Sequence, residues 1–109
     1  MNWNVLESDE QLEKLLVSSE PQLVFKHSTR CPVSFAALKR FELEWDEEIN
    51  KSVNPCFLDL ITYRNLSNKI EEVLGVKHQS PQIILLKNGE VLFHTSHLSI
   101  SAKKLLTHI

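Results

Sequence analysis

A cysteine at the junction between a predicted strand and a predicted helix is the feature that most constrains this chain. The apolar run Leu23-Val24-Phe25 predicts a buried strand, and helical spacing of apolar residues begins near Val33. Between them lies Thr29-Arg30-Cys31-Pro32-Val33-Ser34. Because proline is favoured at the first helical position, Pro32 places Cys31 at or just before the helix N-cap. We therefore expect the free N–H groups and the positive dipole end of this helix to face the sulfur.

This position favours a reactive thiol. The thiolate is the nucleophilic form of cysteine, and a partly exposed helix N-terminus stabilises it. The adjacent Arg30 either adds positive charge to the site or is a solvated turn residue. A lone cysteine is often a small buried residue, but the neighbours of Cys31 are polar. We interpret Cys31 as a catalytic nucleophile that attacks disulfides.

Position 34 limits the type of thiol chemistry. In a dithiol oxidoreductase a second cysteine three residues after the first resolves the mixed disulfide. This chain has Ser34, whose hydroxyl can hydrogen-bond the thiolate or nearby backbone but cannot resolve a disulfide. The other cysteine, Cys56, lies in the apolar run Pro55–Leu60 and is interpreted as a packing residue. It could resolve a Cys31 disulfide only if the two backbones lay within disulfide reach.

Length and composition are those of one globular domain spanning residues 1–109. The chain is 42% hydrophobic and 24% charged. Its net charge of -2 gives no reason to expect a nucleic acid or an anionic membrane as partner. The N-terminal residues do not resemble a secretion signal, and no apolar run approaches membrane-spanning length. With only two cysteines, these features predict a cytoplasmic protein without a structural disulfide.

The periodicity of apolar residues predicts the element order αβαβαββα. The second helix is expected over 33–48, with a buried side consisting of Phe35, Leu38, Phe41, Leu43 and Trp45. Predicted strands cover residues 22–26, 55–60, 83–86 and 91–93, the last two joined by an Asn88-Gly89 hairpin. The remaining helices are expected over 9–18, 66–74 and 99–107, with Ser8 as the first N-cap and Gly75 after the third helix. This order predicts an α/β fold, a central mixed four-stranded sheet with helices on both faces.

Two features together resemble the thioredoxin superfamily. The first is Cys31 at the end of the first confident strand, and the second is Ser80-Pro81 directly before the hairpin. In that superfamily the proline is cis and its loop faces the active cysteine. More specifically, the segments Phe25–Ser34, Gln79–Gln82 and Lys87–Gly89 resemble the monothiol bacilliredoxins, and the similarity covers essentially the whole chain.

The resemblance implies a thioredoxin-like fold and a cytosolic bacterial redox protein. Bacilliredoxins remove the low-molecular-weight thiol bacillithiol from mixed disulfides on oxidised proteins. The implied site has Cys31 as nucleophile and an active-site loop that stabilises its thiolate, formed by Thr29, Arg30, Pro32 and Ser34. Ser80 and Pro81 would align the substrate. The implied partners are bacillithiol, as co-substrate, and S-bacillithiolated client proteins, with no organic cofactor and no metal.

Phe25 and Arg30 also bear on the resemblance. Dithiol thioredoxins carry a buried acid at about the position of Phe25, which assists a second cysteine that this chain lacks. They have tryptophan before the first cysteine where this chain has Arg30, and a cation there suits an anionic small thiol. His27 lies just before the loop that carries Cys31, hereafter the cysteine loop. It either stabilises the thiolate or is a partly buried histidine with a backbone partner. The spacing of His94 and His97 does not favour a zinc site, because no thiol is near them in sequence.

Three other interpretations remain open. The first is a dithiol enzyme that uses Cys56. The second is an iron–sulfur carrier like the monothiol glutaredoxins, against which Pro32-Val33 counts, since those proteins have Gly-Phe between Cys and Ser. The third is a non-enzymatic thioredoxin-like adaptor that binds a partner through the same loop.

Overall fold

The computed structural model describes residues Met1–Ile109 and contains one five-stranded sheet. The strands are β1 (Asn4–Val5), β2 (Gln22–His27), β3 (Asn54–Asp59), β4 (Gln82–Lys87) and β5 (Glu90–Ser96). The α-helices are α1 (Asp9–Val17), α2 (Pro32–Glu44), α3 (Glu47–Ser52) and α4 (Arg64–Leu74), and two 3-10 helices follow at His97–Ser99 and Ala102–His108. None of the helices combines the length and the apolar character required to cross a lipid bilayer.

The strand order in the sheet is β1-β3-β2-β4-β5. β3 is parallel to β1 and β2, whereas β4 is antiparallel to both β2 and β5. The predicted mixed sheet is therefore confirmed, but the predicted number of strands was one too low. The missing strand is Asn4–Val5, which pairs with Cys56 and Phe57. Two residues are too few to show the alternation that identifies a strand, so only the partner in β3 reveals it.

The two faces of the sheet carry separate hydrophobic cores. The first core packs α1 and α4 on the sheet through residues such as Leu12, Ile70 and Val24. The second packs α2, α3 and the last 3-10 helix through residues such as Phe41 and Phe25. Successive residues of a strand point to opposite faces, so Val24 and Lys26 face α4 while Phe25 and His27 face α2. Every residue of β2 is buried.

The single helix predicted over 33–48 is wrong, because the chain forms two helices there. α2 ends at Glu44, and Trp45 has an extended backbone with φ -69 and ψ 121. Asp46 then caps α3, and its carboxylate accepts a hydrogen bond from the Ile49 N–H at 2.9 Å. The cap signal was hidden because Asp46 stands among other acidic residues, Glu44, Glu47 and Glu48, inside the predicted helix.

The buried side predicted for the second helix is also partly wrong. Phe41 is fully buried, and Leu38 and Trp45 pack on the second core. Phe35 is 51% exposed and Leu43 is 81% exposed. Leu43 follows Phe41 by two residues, which places it on the other side of the helix. Phe35 instead packs its ring against His27, with ring centroids 4.6 Å apart.

The C-terminal α-helix predicted over 99–107 is replaced by the two 3-10 helices. The sequence predicts that this segment buries Ile100, Leu105 and Leu106. Ile100 and Leu105 are buried, whereas Leu106 is only partly buried against the second core. The Ile100 carbonyl accepts a hydrogen bond from Arg40 Nη2 at 3.1 Å. Ile100 lies between the two 3-10 helices, where α2 donates to its carbonyl and its side chain packs in the second core.

Several local predictions are confirmed. Ser8 and Gln11 form a capping box at the start of α1. Gly75 ends α4 in the left-handed region with φ 70. Asn88 and Gly89 form the turn between β4 and β5, with φ 55 and 75. Each of these signals acts within a few residues, so it does not depend on the rest of the fold.

The two glycines with positive φ provide a matched test of this turn. A Cβ on residue 89 would lie 3.1 Å from the backbone oxygen of Leu16, whereas a Cβ on residue 75 would have no neighbour within 4 Å. Gly75→Ala should therefore cost only the left-handed backbone penalty, about 1 kcal/mol of unfolding free energy. Gly89→Ala should cost more, roughly 2–3 kcal/mol, because the α1 carbonyl must also move. Denaturant unfolding measures both, and equal losses would contradict the predicted contact.

Candidate active site

Cys31 is the N-cap residue of α2, as the sequence predicts. Its backbone is extended, with φ -116 and ψ 116, and Pro32 is the first helical residue. The Cys31 N–H donates to the Ser28 carbonyl at 3.3 Å, and the Cys31 carbonyl accepts from the Phe35 N–H at 3.2 Å. The side chain is partly exposed and makes no capping hydrogen bond. The sulfur is therefore a partly accessible thiol at the positive end of a helix.

Three of the predicted loop residues lie at the surface around this thiol. Thr29, Arg30 and Pro32 are exposed. Together with Phe35 they border a shallow open cavity that Cys31 also lines. Arg30 forms no salt bridge within the chain, so its charge is available to an incoming anion. This rim combines one cation with apolar surface from proline and phenylalanine.

Ser34 makes its hydrogen bonds to the end of β2 and to the residue that follows it, and none to Cys31. It is fully buried, and its hydroxyl accepts a hydrogen bond from the Ser28 N–H at 3.0 Å. The same oxygen lies 2.7 Å from His27 Nδ1. Neither partner is Cys31, so the structure contains no hydrogen bond between Ser34 and the thiol. The expected bond to nearby backbone is present, and Ser34 thereby ties the cysteine loop to the end of β2.

His27 is the second residue of this link. Its side chain is buried between Phe35, at a ring-centroid distance of 4.6 Å, and Phe57, at 5.6 Å. Burial lowers the pKa of His27, although Asp59 and Glu42 oppose the shift. The imidazole is therefore neutral near pH 7, and the Ser34 hydroxyl, which accepts from Ser28, can donate to Nδ1. The partner predicted for His27 was a backbone group, but it is this side chain.

Ser80-Pro81 is a cis peptide bond, as the sequence predicts. Lys26 pairs with Gln82, so Pro81 lies beside the end of β2, where the cysteine loop begins. Pro81 is buried, and its carbonyl accepts a hydrogen bond from the His97 N–H at 3.1 Å. The Ser80 hydroxyl oxygen is buried without a hydrogen-bond partner. The cysteine loop and the Ser80-Pro81 segment thus meet at the same end of the paired strands β2 and β4.

Cys56 lies on the other face of the sheet from α2. It is 3% exposed and packs in the core formed with α1 and α4. Burial raises the pKa of its thiol to about 12. Its partner in β2 is Val24, which at about 3.3 Å per residue is about 10 Å from the strand end at His27. A disulfide needs Cα atoms within about 7 Å, so the structure favours the packing role over the resolving role. Both cysteines are free.

Two residues near the site were not singled out from the sequence. Lys26 is fully buried in β2, and its Nζ lies 2.7 Å from His78 Nδ1 in the segment before Ser80. The available signal was a lysine directly after the apolar run Leu23-Val24-Phe25 of a central strand, which is unusual because lysine is rarely fully buried. No three histidine, cysteine, aspartate or glutamate residues are grouped so that they could hold a metal ion.

Solved structures with similar backbones are thioredoxin-like. A protein described as a candidate oxidoreductase with a thioredoxin fold matches with a TM-score of 0.80 and 29% identity, over 95% of this chain and 90% of its own. Thioredoxin from Malassezia sympodialis matches with a TM-score of 0.78 and 16% identity, over 97% and 86%. Chloroplastic thioredoxin z matches with 0.71 and 18%, over 98% and 90%. The predicted thioredoxin-like fold is thus confirmed.

The family comparison agrees with the motifs at the site. Residues 4–105 match the family model described as monothiol bacilliredoxin BrxC. Together with the thioredoxin-fold oxidoreductase, this match supports a thiol–disulfide redox function. The match includes the Cys31 loop and the Ser80-Pro81 segment that carry the resemblance seen in the sequence. The chain belongs to the monothiol bacilliredoxin family.

Proposed function

We propose that this protein removes bacillithiol from mixed disulfides on oxidised cytosolic proteins, with Cys31 as its one working thiol. The observation that carries the proposal is the different placement of the two cysteines. Cys31 is partly exposed at the start of α2, while Cys56 is buried on the other face of the sheet. Ser34 stands where a dithiol enzyme has its second cysteine. Only one cysteine is therefore in a position to meet a substrate.

The proposed reaction is a thiol–disulfide exchange. The Cys31 thiolate attacks the bacillithiol sulfur of the mixed disulfide, and the bond from that sulfur to the client sulfur breaks. The client leaves as a thiolate, and a Cys31–bacillithiol disulfide remains. A second low-molecular-weight thiolate then attacks the bacillithiol sulfur, releasing Cys31 as thiolate and carrying bacillithiol away as a small disulfide. Each step exchanges one S–S bond for another.

The surroundings of Cys31 suit this chemistry. The free N–H groups at the start of α2 favour the negative charge on sulfur in the attacking and leaving forms. Arg30, exposed and without a salt bridge, can pair with the carboxylates of bacillithiol. Thr29 and Pro32 complete the rim, and Ser34 holds the loop through Ser28 and His27. We assign substrate alignment to Ser80 and Pro81, which lie at the same end of the sheet as the cysteine loop.

No organic cofactor or metal enters this reaction. The substrates are the bacillithiolated client and the thiol that regenerates Cys31, and both supply their own sulfur. The cytoplasm is the compartment in which such a thiol pool would act on oxidised proteins.

The two thiols should differ strongly in reactivity. Alkylation requires the thiolate, and the raised pKa of Cys56 keeps it protonated at neutral pH. Limited treatment with iodoacetamide between pH 6 and 9 should therefore label Cys31 and leave Cys56 unmodified, as peptide mass mapping would show. In denaturant both should react. Labelling of Cys56 before Cys31 in the native protein would reverse the assigned roles.

Single-cysteine variants test the monothiol mechanism. With a bacillithiolated client, Cys56→Ala should release the client thiol at the wild-type rate, because Cys56 has no step to perform. Cys31→Ala should release none. Intact mass should show one bacillithiol on Cys31, and a small thiol should remove this adduct and restore turnover.

Other results would support the alternative functions. An internal Cys31–Cys56 disulfide in the wild type, with Cys56→Ala stalled as the adduct, would indicate a dithiol enzyme. A brown protein with visible absorption would indicate an iron–sulfur carrier. Full cellular function in a strain carrying Cys31→Ser would indicate an adaptor. Each of these outcomes contradicts the proposal.

A further inference from the structure

Lys26 is a charged residue at the centre of the fold with no obvious structural need for its charge. It stands in β2, is 0% exposed, and faces the core formed with α4. Burying an ammonium group is costly unless it is well paired. Its hydrogen-bond partner is His78 Nδ1, 2.7 Å from Nζ. Nothing in the exchange reaction at Cys31 uses this pair directly.

The partner His78 belongs to the segment 76–81, which connects α4 to β4 without helix or strand. This segment leads directly into Ser80-Pro81. The His78 N–H donates to Glu71 Oε2 at 2.9 Å, and the ring lies 3.4 Å from the Ser67 hydroxyl. α4 therefore holds His78 from one side and β2 holds it from the other.

A second buried side chain supports the same segment. Gln82, which is 1% exposed, pairs with Lys26 across β2 and β4. Its side-chain N–H donates to the Lys77 carbonyl at 3.0 Å, and its side-chain oxygen accepts from the Gln79 N–H at 3.3 Å. Two neighbouring polar side chains on one face of the sheet thus bind the stretch of backbone immediately before Pro81.

We infer that Lys26 is a positioning residue for disulfide exchange, because its hydrogen bond to His78 holds the segment that sets Pro81 beside the cysteine loop. The inference rests on the proposed role of Cys31 as the exchanging thiol. Lys26 faces α4 and not α2, so it acts through the segment rather than on the sulfur. A displacement of the substrate-aligning backbone by about 1 Å is enough to slow a reaction roughly a hundredfold.

The charges around the pair make the contact sensitive to pH. Lys26 and His78 are faced by Glu71 and Arg64 of α4. Burial lowers the pKa of Lys26 to about 8, with Glu71 opposing and Arg64 adding to the shift. Burial, Lys26 and Arg64 lower the pKa of His78, and Glu71 opposes them. A neutral His78 accepts at Nδ1, whereas a protonated one cannot accept and repels Lys26. The contact is therefore present above the lowered pKa of His78 and is lost as the pH falls through it.

The test compares two reactions of Cys31 in each variant. Alkylation by iodoacetamide needs only the thiolate, whereas exchange with a mixed disulfide also needs the aligned backbone. Lys26→Met, of similar length, should lower the exchange rate constant roughly ten- to a hundredfold and leave alkylation unchanged. Lys77→Met, an exposed lysine in the same segment, is the matched control and should change neither.

Variants of His78 separate positioning from general stability. Asn can place its side-chain oxygen where Nδ1 lies, so His78→Asn should retain most of the exchange rate, whereas His78→Leu should match Lys26→Met. The ratio of exchange to alkylation in the wild type should fall at acidic pH, and in His78→Asn it should stay flat. If Lys26→Met fails to fold, the comparison of the two His78 variants decides the question in the same way.

Two substrates distinguish failure of this inference from failure of the proposed function. One is a bacillithiolated client, and the other is a peptide in mixed disulfide with cysteine. If the wild type exchanges with the peptide but not with the bacillithiolated client, and Lys26→Met still slows that exchange, the inference is supported and the bacillithiol assignment is contradicted. Exchange in Lys26→Met equal to that in Lys77→Met on either substrate would overturn the inference. A wild-type protein that exchanges with neither substrate would overturn both the inference and the proposed function.

Discussion

The rest of the structure depends on the complete burial of β2. This strand has paired neighbours on both edges and helices over both faces, and all six of its residues are buried. A strand held on every side has one possible position, so the point at which it ends is set accurately. The cysteine loop begins at that point, and the antiparallel pairing of Lys26 with Gln82 brings Pro81 to the same level. The site is therefore a consequence of strand register.

The last two residues of β2 extend this control to both sides of the sheet. His27 faces α2, where its contact with Ser34 ties the cysteine loop to the strand. Lys26 faces α4, where its contact with His78 holds the segment before Pro81. Phe25, which the resemblance to thioredoxins places about where the dithiol members carry a buried acid, packs edge to face on Trp3 and Phe41 at 5.8 and 5.4 Å. Apolar packing there agrees with the proposed mechanism, in which no second thiol is deprotonated.

Predictions succeeded where the signal and its cause lie within one turn or one hairpin. Pro32 placed Cys31 at the helix start, Gly75 ended α4, and Asn88-Gly89 formed the turn. They failed where a distant partner decides the outcome. The strand at Asn4 exists because β3 pairs with it, and the C-terminal 3-10 helices form where Arg40 takes the Ile100 carbonyl. Secondary-structure patterns in sequence carry no information about such partners.

By itself, the sequence determined the class of fold, the position of Cys31 at the start of a helix and the absence of a second cysteine at position 34, because each follows from residue type and short spacing. Only the tertiary structure decided what the buried polar side chains do. The Ser34 hydroxyl contacts His27, and Lys26 contacts a histidine 52 residues later in the chain. A buried polar group must find a hydrogen-bond partner, but packing alone determines which groups are within reach.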